Sequence, residues 1–245
     1  DTRPKVSVAE FSIDGKAVKI VGFAKGAGMI EPNMATMLSY ITTDAAVERE
    51  ALQRLLKQAV DASFNRISVD GDQSTNDTVL ALANGAADNA PLNEASGDWP
   101  LFAKEFSRVC FELAMMIVHD GEGADKFVTV NVSGAESDEA ADLAARAVAN
   151  SMLNKTAWAG SDPNWGRIMD VLGYSKARVV ENKVDICYGD VPAALGGARS
   201  SAPQEDLVRV VSQTDFVINI NLHLGEGAAT VYTCNCTEEY VRINY

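Results

Sequence analysis

Cysteine, histidine and positive charge are all scarce in this chain, and each shortage argues against a class of function. Four cysteines, Cys110, Cys187, Cys234 and Cys236, are too few and too irregularly spaced for a disulfide scaffold and suit a reducing compartment. Cys234 and Cys236 have Cys-x-Cys spacing without a second ligand pair, and only two histidines exist, His119 and His223. No metal is therefore expected. On an alternating strand two such thiols simply share a face. A net charge of -13 and a pI near 4.6 argue against a broad polyanion-binding surface, so nucleic acid is not an expected partner. One local basic pocket for a carboxylate is still compatible with that charge. No apolar run reaches the roughly 18 residues needed to cross a bilayer. The opening DTRPKVSVAE lacks a basic-then-apolar leader, so the expectation is a soluble protein of the cytoplasm, with no membrane partner.

What is present is a core. With 47% apolar residues, 245 residues suffice for one large domain or two modest ones. A boundary near Gly134 or Ser151 is compatible with the sequence, although no composition shift demands it. KAVKIVGFAKGAGMI reads as a strand running into a tight glycine loop. From Thr43 and Asp44, residue types that cap helices, AAVEREALQRLLKQAVDASF places Val47, Leu52, Leu55, Leu56, Ala59 and Val60 on one helical stripe. RISVDGDQSTNDTVLALANG reads as strand, polar turn and apolar element, followed by an exposed loop. Pro100 suits the first turn of the next helix, whose stripe is Phe102, Phe106, Val109, Cys110, Leu113 and Ile117. KFVTVNVSG alternates as a strand, and SDEAADLAARAVANSML follows as a helix with an acidic first turn. Further on, RVVENKVDICYG, a short helix in QEDLVRVVSQ, and the pair DFVININLHLG and AATVYTCNCT with a hairpin-like break at LGEGA complete a mixed α/β pattern with antiparallel pairs.

Two ligand motifs fail on inspection. KGAGMIE has Gly26-x-Gly28 but Glu31 where a dinucleotide fingerprint needs its third glycine. DGDQSTND opens like a calcium loop with Asp70, Asp72 and Ser74, yet Thr75 replaces the turn glycine and Ala81 the closing glutamate. The plainer reading is a polar turn whose side chains bond backbone groups and are able to brace a site. HDGEGADK sets Glu122 between two glycines, which permits unusual backbone angles that aim a side chain into a cleft; a solvated loop carboxylate is the alternative. GSDPNWGRI marks a rigid turn in which Arg167 can pair with Asp162 or meet a carboxylate ligand.

Thr36, in EPNMATMLSYITTDA, is either an ordinary helix-start threonine or a nucleophile. A threonine hydroxyl needs a base, and a chain cut that frees the threonine's own amine supplies one. Attack of the Thr36 hydroxyl on the Ala35 carbonyl would move the acyl group from nitrogen to oxygen, and water would then release the ester.

KGAGMIEPNMATMLSYITTDA closely resembles the self-cleavage segment of the ornithine acetyltransferases, the bifunctional glutamate N-acetyltransferase family of arginine biosynthesis. SVDGDQSTNDTV, DGEGADKFVTV, NKTAWAGSDPNWGRI and the terminal YVRIN resemble further family segments in the expected order, so the similarity covers nearly the whole chain. The resemblance implies an α/β sandwich of helices around largely antiparallel sheet, of the self-processing N-terminal-threonine type. Residues 1–35 would be the end of an α fragment and residues 36–245 the β fragment. By the same resemblance, cleavage between Ala35 and Thr36 leaves Thr36 as the nucleophile that moves acetyl from N2-acetyl-L-ornithine to L-glutamate. Lys25, Thr36, Glu122 and Asn244 match substrate-binding positions, and no cofactor is implied. Some family members also accept acetyl-coenzyme A.

Family members carry a much longer segment before the nucleophile, including a Thr-Gly pair that forms the oxyanion hole, whereas 35 residues precede Thr36 here. The resemblance therefore implies a companion fragment and an assembly of two α and two β chains or larger. The competing expectations are an amidohydrolase or aminopeptidase with the same nucleophile, and a non-catalytic fragment that keeps the β-chain fold.

Overall fold

Strict alternation of buried and exposed residues along KVSVAEFSI makes the first strand, because a period of two puts every second side chain on one face. The computed structural model describes residues 1–31, 37–73 and 76–245, which form two units: residues 1–67 with 72–120, and residues 68–71 with 121–245. The division falls after Asp120. Gly134 instead lies inside a strand and Ser151 is the cap between two helices, so neither marks the expected boundary.

In the first unit β1 (Lys5–Ile13), β2 (Lys16–Lys25), β3 (Leu38–Thr43) and β4 (Thr78–Ala83) form one sheet in chain order, with α1 (Arg49–Asp61) between β3 and β4 and α2 (Trp99–Val118) after them. β1, β2 and β3 pair antiparallel, while β3 and β4 run parallel, as the intervening helix allows. The expected stripe of α2 is buried from Phe102 to Ile117, and Pro100 sits in its first turn as anticipated. α2 approaches β2 closely at Gly22, where a Cβ would meet Leu113 and Val109 methyl groups at 2.6 Å. α1 starts later than Thr43 suggests. Thr43 ends β3, the Ala46 N–H donates to Asn89 Oδ1, and the Glu48 N–H donates to the Leu92 carbonyl, so the residues before Arg49 are engaged by the 89–92 loop.

The second unit contains β5 (Phe127–Ala135), α3 (Asp138–Asn150), α4 (Met152–Ala159), α5 (Trp165–Tyr174), β6 (Asp185–Tyr188), β7 (Val191–Leu195), β8 (Ala198–Arg199), α6 (Gln204–Val211), β9 (Asp215–Asn221), β10 (Gly227–Cys234) and α7 (Glu238–Ile243). Its sheet has the order β10-β5-β9-β6-β7-β8, antiparallel except for β5 with β9. The fold is thus helices on largely antiparallel sheet, as expected. The core joins Val128, Val130 and Val132 of β5 to the alanine-rich face of α3, with Trp158 and Tyr188 buried alongside. The hairpin expected at LGEGA does not form, because β5 lies between β9 and β10. The Leu224 N–H instead donates to the Gly134 carbonyl at 2.6 Å, and Gly227 lies so close to Ser137 that no Cβ would fit.

The strand expected in RISVD is replaced by a 3-10 turn at Phe64–Arg66 and a short segment held within the second unit. Lys155, fully buried, is its anchor: the ammonium donates to the Val69 carbonyl at 2.8 Å, to Thr233 Oγ1 at 2.7 Å and to the Cys234 carbonyl at 2.7 Å. All four thiols are free, and burial pushes Cys110 up to about 12 and also raises Cys187, Cys234 and Cys236, so none is a ready thiolate. Among the described residues no helix is long and apolar enough to cross a membrane.

Candidate active site

Three strand ends meet at one edge of the first unit's sheet. Lys25 closes β2 and is the direct partner of Leu38, which opens β3, and Leu38 in turn pairs with Thr78 at the start of β4. Lys25 is exposed on this row. Beyond it Gly26 takes φ +149, a conformation L side chains rarely adopt, and its N–H donates to Asp1 Oδ1 at 3.1 Å. Ala35 and Thr36 lie outside the described residues. Met37, the next residue, is buried; its N–H donates to an Asp77 carboxylate oxygen and its carbonyl accepts from the Thr78 N–H at 2.9 Å.

A buried ion pair braces this edge. Lys5 Nζ lies 2.5 Å from Asp120 Oδ2 and 2.5 Å from Asp1 Oδ1, and both Lys5 and Asp120 are almost fully buried. Burial alone would raise the Asp120 carboxyl, but hydrogen bonds from Lys5 and Thr2 outweigh it and hold the group down at about 2. The Asp1 carboxylate thus joins Lys5 to the Gly26 peptide that follows Lys25. An open cavity of about 620 Å³ adjoins the same edge, lined by Met37, Asp77 and Thr78 from the sheet and by Leu56, Val60 and Phe64.

In the second unit Glu122 and Asn244 come together although 122 residues separate them: Asn244 Nδ2 donates to Glu122 Oε2 at 2.8 Å and to the Tyr240 carbonyl at 3.0 Å. Gly123 makes this possible. It has φ +67, and a Cβ there would stand 2.5 Å from the Tyr240 nitrogen, so only glycine lets α7 approach. The Thr237 hydroxyl caps α7 and donates to the Gly123 carbonyl at 2.6 Å, while Tyr240 Oη donates to Asp70 at 3.2 Å. Glu122 is half-buried with its carboxylate held by one amide, and is therefore able to meet a cationic ligand group.

The other flagged motif is structural. Asn164 caps α5 through the Arg167 N–H at 3.2 Å and donates to Asp162 at 3.1 Å, while the Arg167 guanidinium donates to the Leu153 carbonyl at 2.6 Å rather than to Asp162. Sequence reading passed over Asp77 and Lys5. Asp77 carries a signal, as the last residue of a turn rich in backbone-bonding side chains, whereas Lys5 on an alternating strand carries none.

The profile of the ArgJ family matches residues 1–245. An arginine biosynthesis bifunctional protein ArgJ of Geobacter sulfurreducens is 48% identical over 245 residues, covering all of this chain and 62% of that protein. Its namesake in Oceanobacillus iheyensis is 46% identical over 244 residues, covering 60% of that protein, so the chain spans about three fifths of the length of these relatives. The crystal structure of the arginine biosynthesis bifunctional protein argJ from Bacillus halodurans superposes with a TM-score of 0.81 at 40% identity, covering 85% of this chain and 99% of that one. A match along the whole chain, at such identity and with the same fold, shows that this chain belongs to the ArgJ family.

Proposed function

We propose that the chain is the nucleophile-bearing part of an acetyltransferase of arginine biosynthesis, which moves acetyl from N2-acetyl-L-ornithine to L-glutamate through an acetyl-Thr36 ester. The observation that carries the reading is the family match along all 245 residues, segments around Thr36, Glu122 and Asn244 included. The geometry within each unit is in keeping with it: in the first, Lys25 pairs across the sheet with the strand that Thr36 precedes in sequence, and in the second Asn244 is bonded to Glu122.

The steps balance as follows. Thr36 Oγ attacks the Ala35 carbonyl carbon, the acyl group passes from nitrogen to oxygen, and water hydrolyses the ester to leave residues 1–35 as an α fragment and residues 36–245 as a β fragment. The freed Thr36 amine then takes the hydroxyl proton as Oγ attacks the acetyl carbonyl of acetylornithine. It returns the proton to the departing ornithine amine as the carbon–nitrogen bond breaks. Glutamate's amine attacks the acetyl-threonine, and Thr36 Oγ leaves with a proton. In this cycle the Lys25 ammonium holds a substrate carboxylate and the Glu122 carboxylate a substrate ammonium, with Asn244 fixing the Glu122 oxygen.

Oxyanion donors come from a companion segment of the kind the longer relatives contain, within an assembly of two α and two β chains or larger; losing one such donor typically costs about 100- to 1000-fold in rate. The test supplies acetyl-labelled N-acetylornithine with and without glutamate and identifies the labelled product. Acetylglutamate formed only with glutamate present is expected. Free acetate at the same rate in either case would make the chain a hydrolase, and the absence of any labelled Thr36 ester would leave it a non-catalytic fragment. Acetyl-coenzyme A as a second donor is read in the same assay.

A further inference from the structure

We propose that Asp77 is a positioning residue for Thr36, acting through the backbone N–H of Met37; the inference rests on the Thr36 reading above. β3 and β4 run parallel with Leu38 opposite Thr78, so the residues that precede them, Met37 and Asp77, emerge side by side at one end of the sheet. Both polar groups of Met37's backbone are held there: the carbonyl accepts from the Thr78 N–H at 2.9 Å, and the N–H donates to the Asp77 carboxylate. The first is an ordinary ladder bond. The second is a charge-assisted bond from a side chain, stronger than a neutral one.

Its target is what gives it a role. The Met37 nitrogen is bonded to the carbonyl carbon of Thr36, and a peptide group is planar, so a carboxylate locked on that N–H sets the plane through which the nucleophile's residue joins the strand. The far end of the hold is rigid, since the Met37 side chain is buried and the strand continues into the sheet core at Ser39 and Ile41. Nucleophiles must be kept within about half an ångström of their attack geometry, and an error of about 1 Å can cost on the order of 100-fold in rate. DGDQSTND thereby gains a purpose other than calcium binding through its last residue, Asp77, which stands immediately before β4.

The test measures self-cleavage, and then acetyl transfer by the cut protein, in the wild type, Thr36→Ala, Asp77→Ala and Asp77→Asn. Asp77→Ala is expected to cut about 100-fold more slowly at a temperature where circular dichroism shows it still folded, whereas Asp77→Asn, which keeps an acceptor for the N–H, stays within about tenfold of wild type. In the cut protein Asp77→Ala lowers kcat and leaves KM for acetylornithine within about twofold, because the hold acts on the nucleophile and not on the substrate. A KM rise equal to the kcat loss, or equal damage from Ala and Asn, would overturn the inference. Asp77→Glu keeps the charge but displaces it by one methylene, and serves if the alanine variant does not fold: slowed cutting supports the hold, and wild-type cutting contradicts it. Wild-type cutting by Asp77→Ala beside an uncut Thr36→Ala overturns this inference alone. An uncut wild type removes the Thr36 reading and this inference together.

Discussion

The two units end their sheets differently. Away from its helices the first unit's sheet turns Val6, Val8, Phe23, Tyr40, Leu80 and Leu82 outward, each more than 40% exposed and set in two adjacent rows: Val6–Phe23–Tyr40–Leu80, and Val8 and Leu82 flanking Val21 and Thr42. The second unit's sheet turns Asn131, Ser133, Asn219, Asn221 and Thr230 outward; Thr230 Oγ1 donates to Asn131 at 2.8 Å and Asn131 Nδ2 to Asn219 at 2.9 Å, while Ser133 donates to the Ile220 carbonyl and Asn221 accepts from the His223 N–H. One face is finished for water. The other is an apolar patch that gains from being covered, at roughly 25 cal/mol for each Å² removed from water. Interior chemistry differs as well, since in the second unit a buried lysine donates to two backbone carbonyls and a threonine hydroxyl, and in the first a lysine is shared between two carboxylates.

Four substitutions test how differently the two units are held. The largest effect is expected in the second unit, where Lys155→Ala removes the donor from three buried oxygens; a loss of about 3–5 kcal/mol is expected by chemical denaturation. Next comes the first unit's ion pair. Because the Asp120 carboxyl is held at about 2, below its ordinary 3.8, its contribution of about 2 kcal/mol is complete above pH 3.8 and is lost as pH falls through 2. Asp120→Asn should remove it at neutral pH and flatten the acid limb of a stability-against-pH curve over that window. Ser137→Ala deletes the cap that accepts the Ala140 N–H at 3.2 Å at the head of α3, and about 1 kcal/mol should be lost in the same denaturation assay. The smallest stability change is expected for Leu82→Lys on the apolar face, under about 0.5 kcal/mol, accompanied by weaker self-association in light scattering. A large destabilisation there would mean the face is not open to water.

Much of this was legible in the sequence where one local pattern dominates. α2 and α3 announce themselves through an apolar stripe, a first-turn proline and an acidic first turn, and β5 and β9 through alternation, whereas β1 was not read because its apolar Val6 and Val8 point outward. Long-range pairing was not legible. LGEGA looks like a hairpin turn, and only the insertion of β5 between β9 and β10 removes that possibility. α4 and α7 were missed because each is short and the terminal one buries none of its residues, so neither leaves a stripe. Of the site, Glu122 stood out by its glycines and Thr36 as one of two readings of its segment, whereas Lys25 and Asn244 entered through family resemblance alone. Lys155 gave no sign of its burial, because a lysine on a helix reads as surface until its three partners arrive from residues 69, 233 and 234. The boundary after Asp120 escaped for a related reason: no change of composition accompanies it.

Self-cleavage before Thr36 is read from the intact mass of the purified, denatured chain measured beside Thr36→Ala. Two fragments meeting between Ala35 and Thr36 in the wild type, with a single uncut mass in the variant, are predicted. A single uncut mass in both would contradict the account, since Thr36 would then lack the free amine on which the whole acetyl-transfer cycle depends.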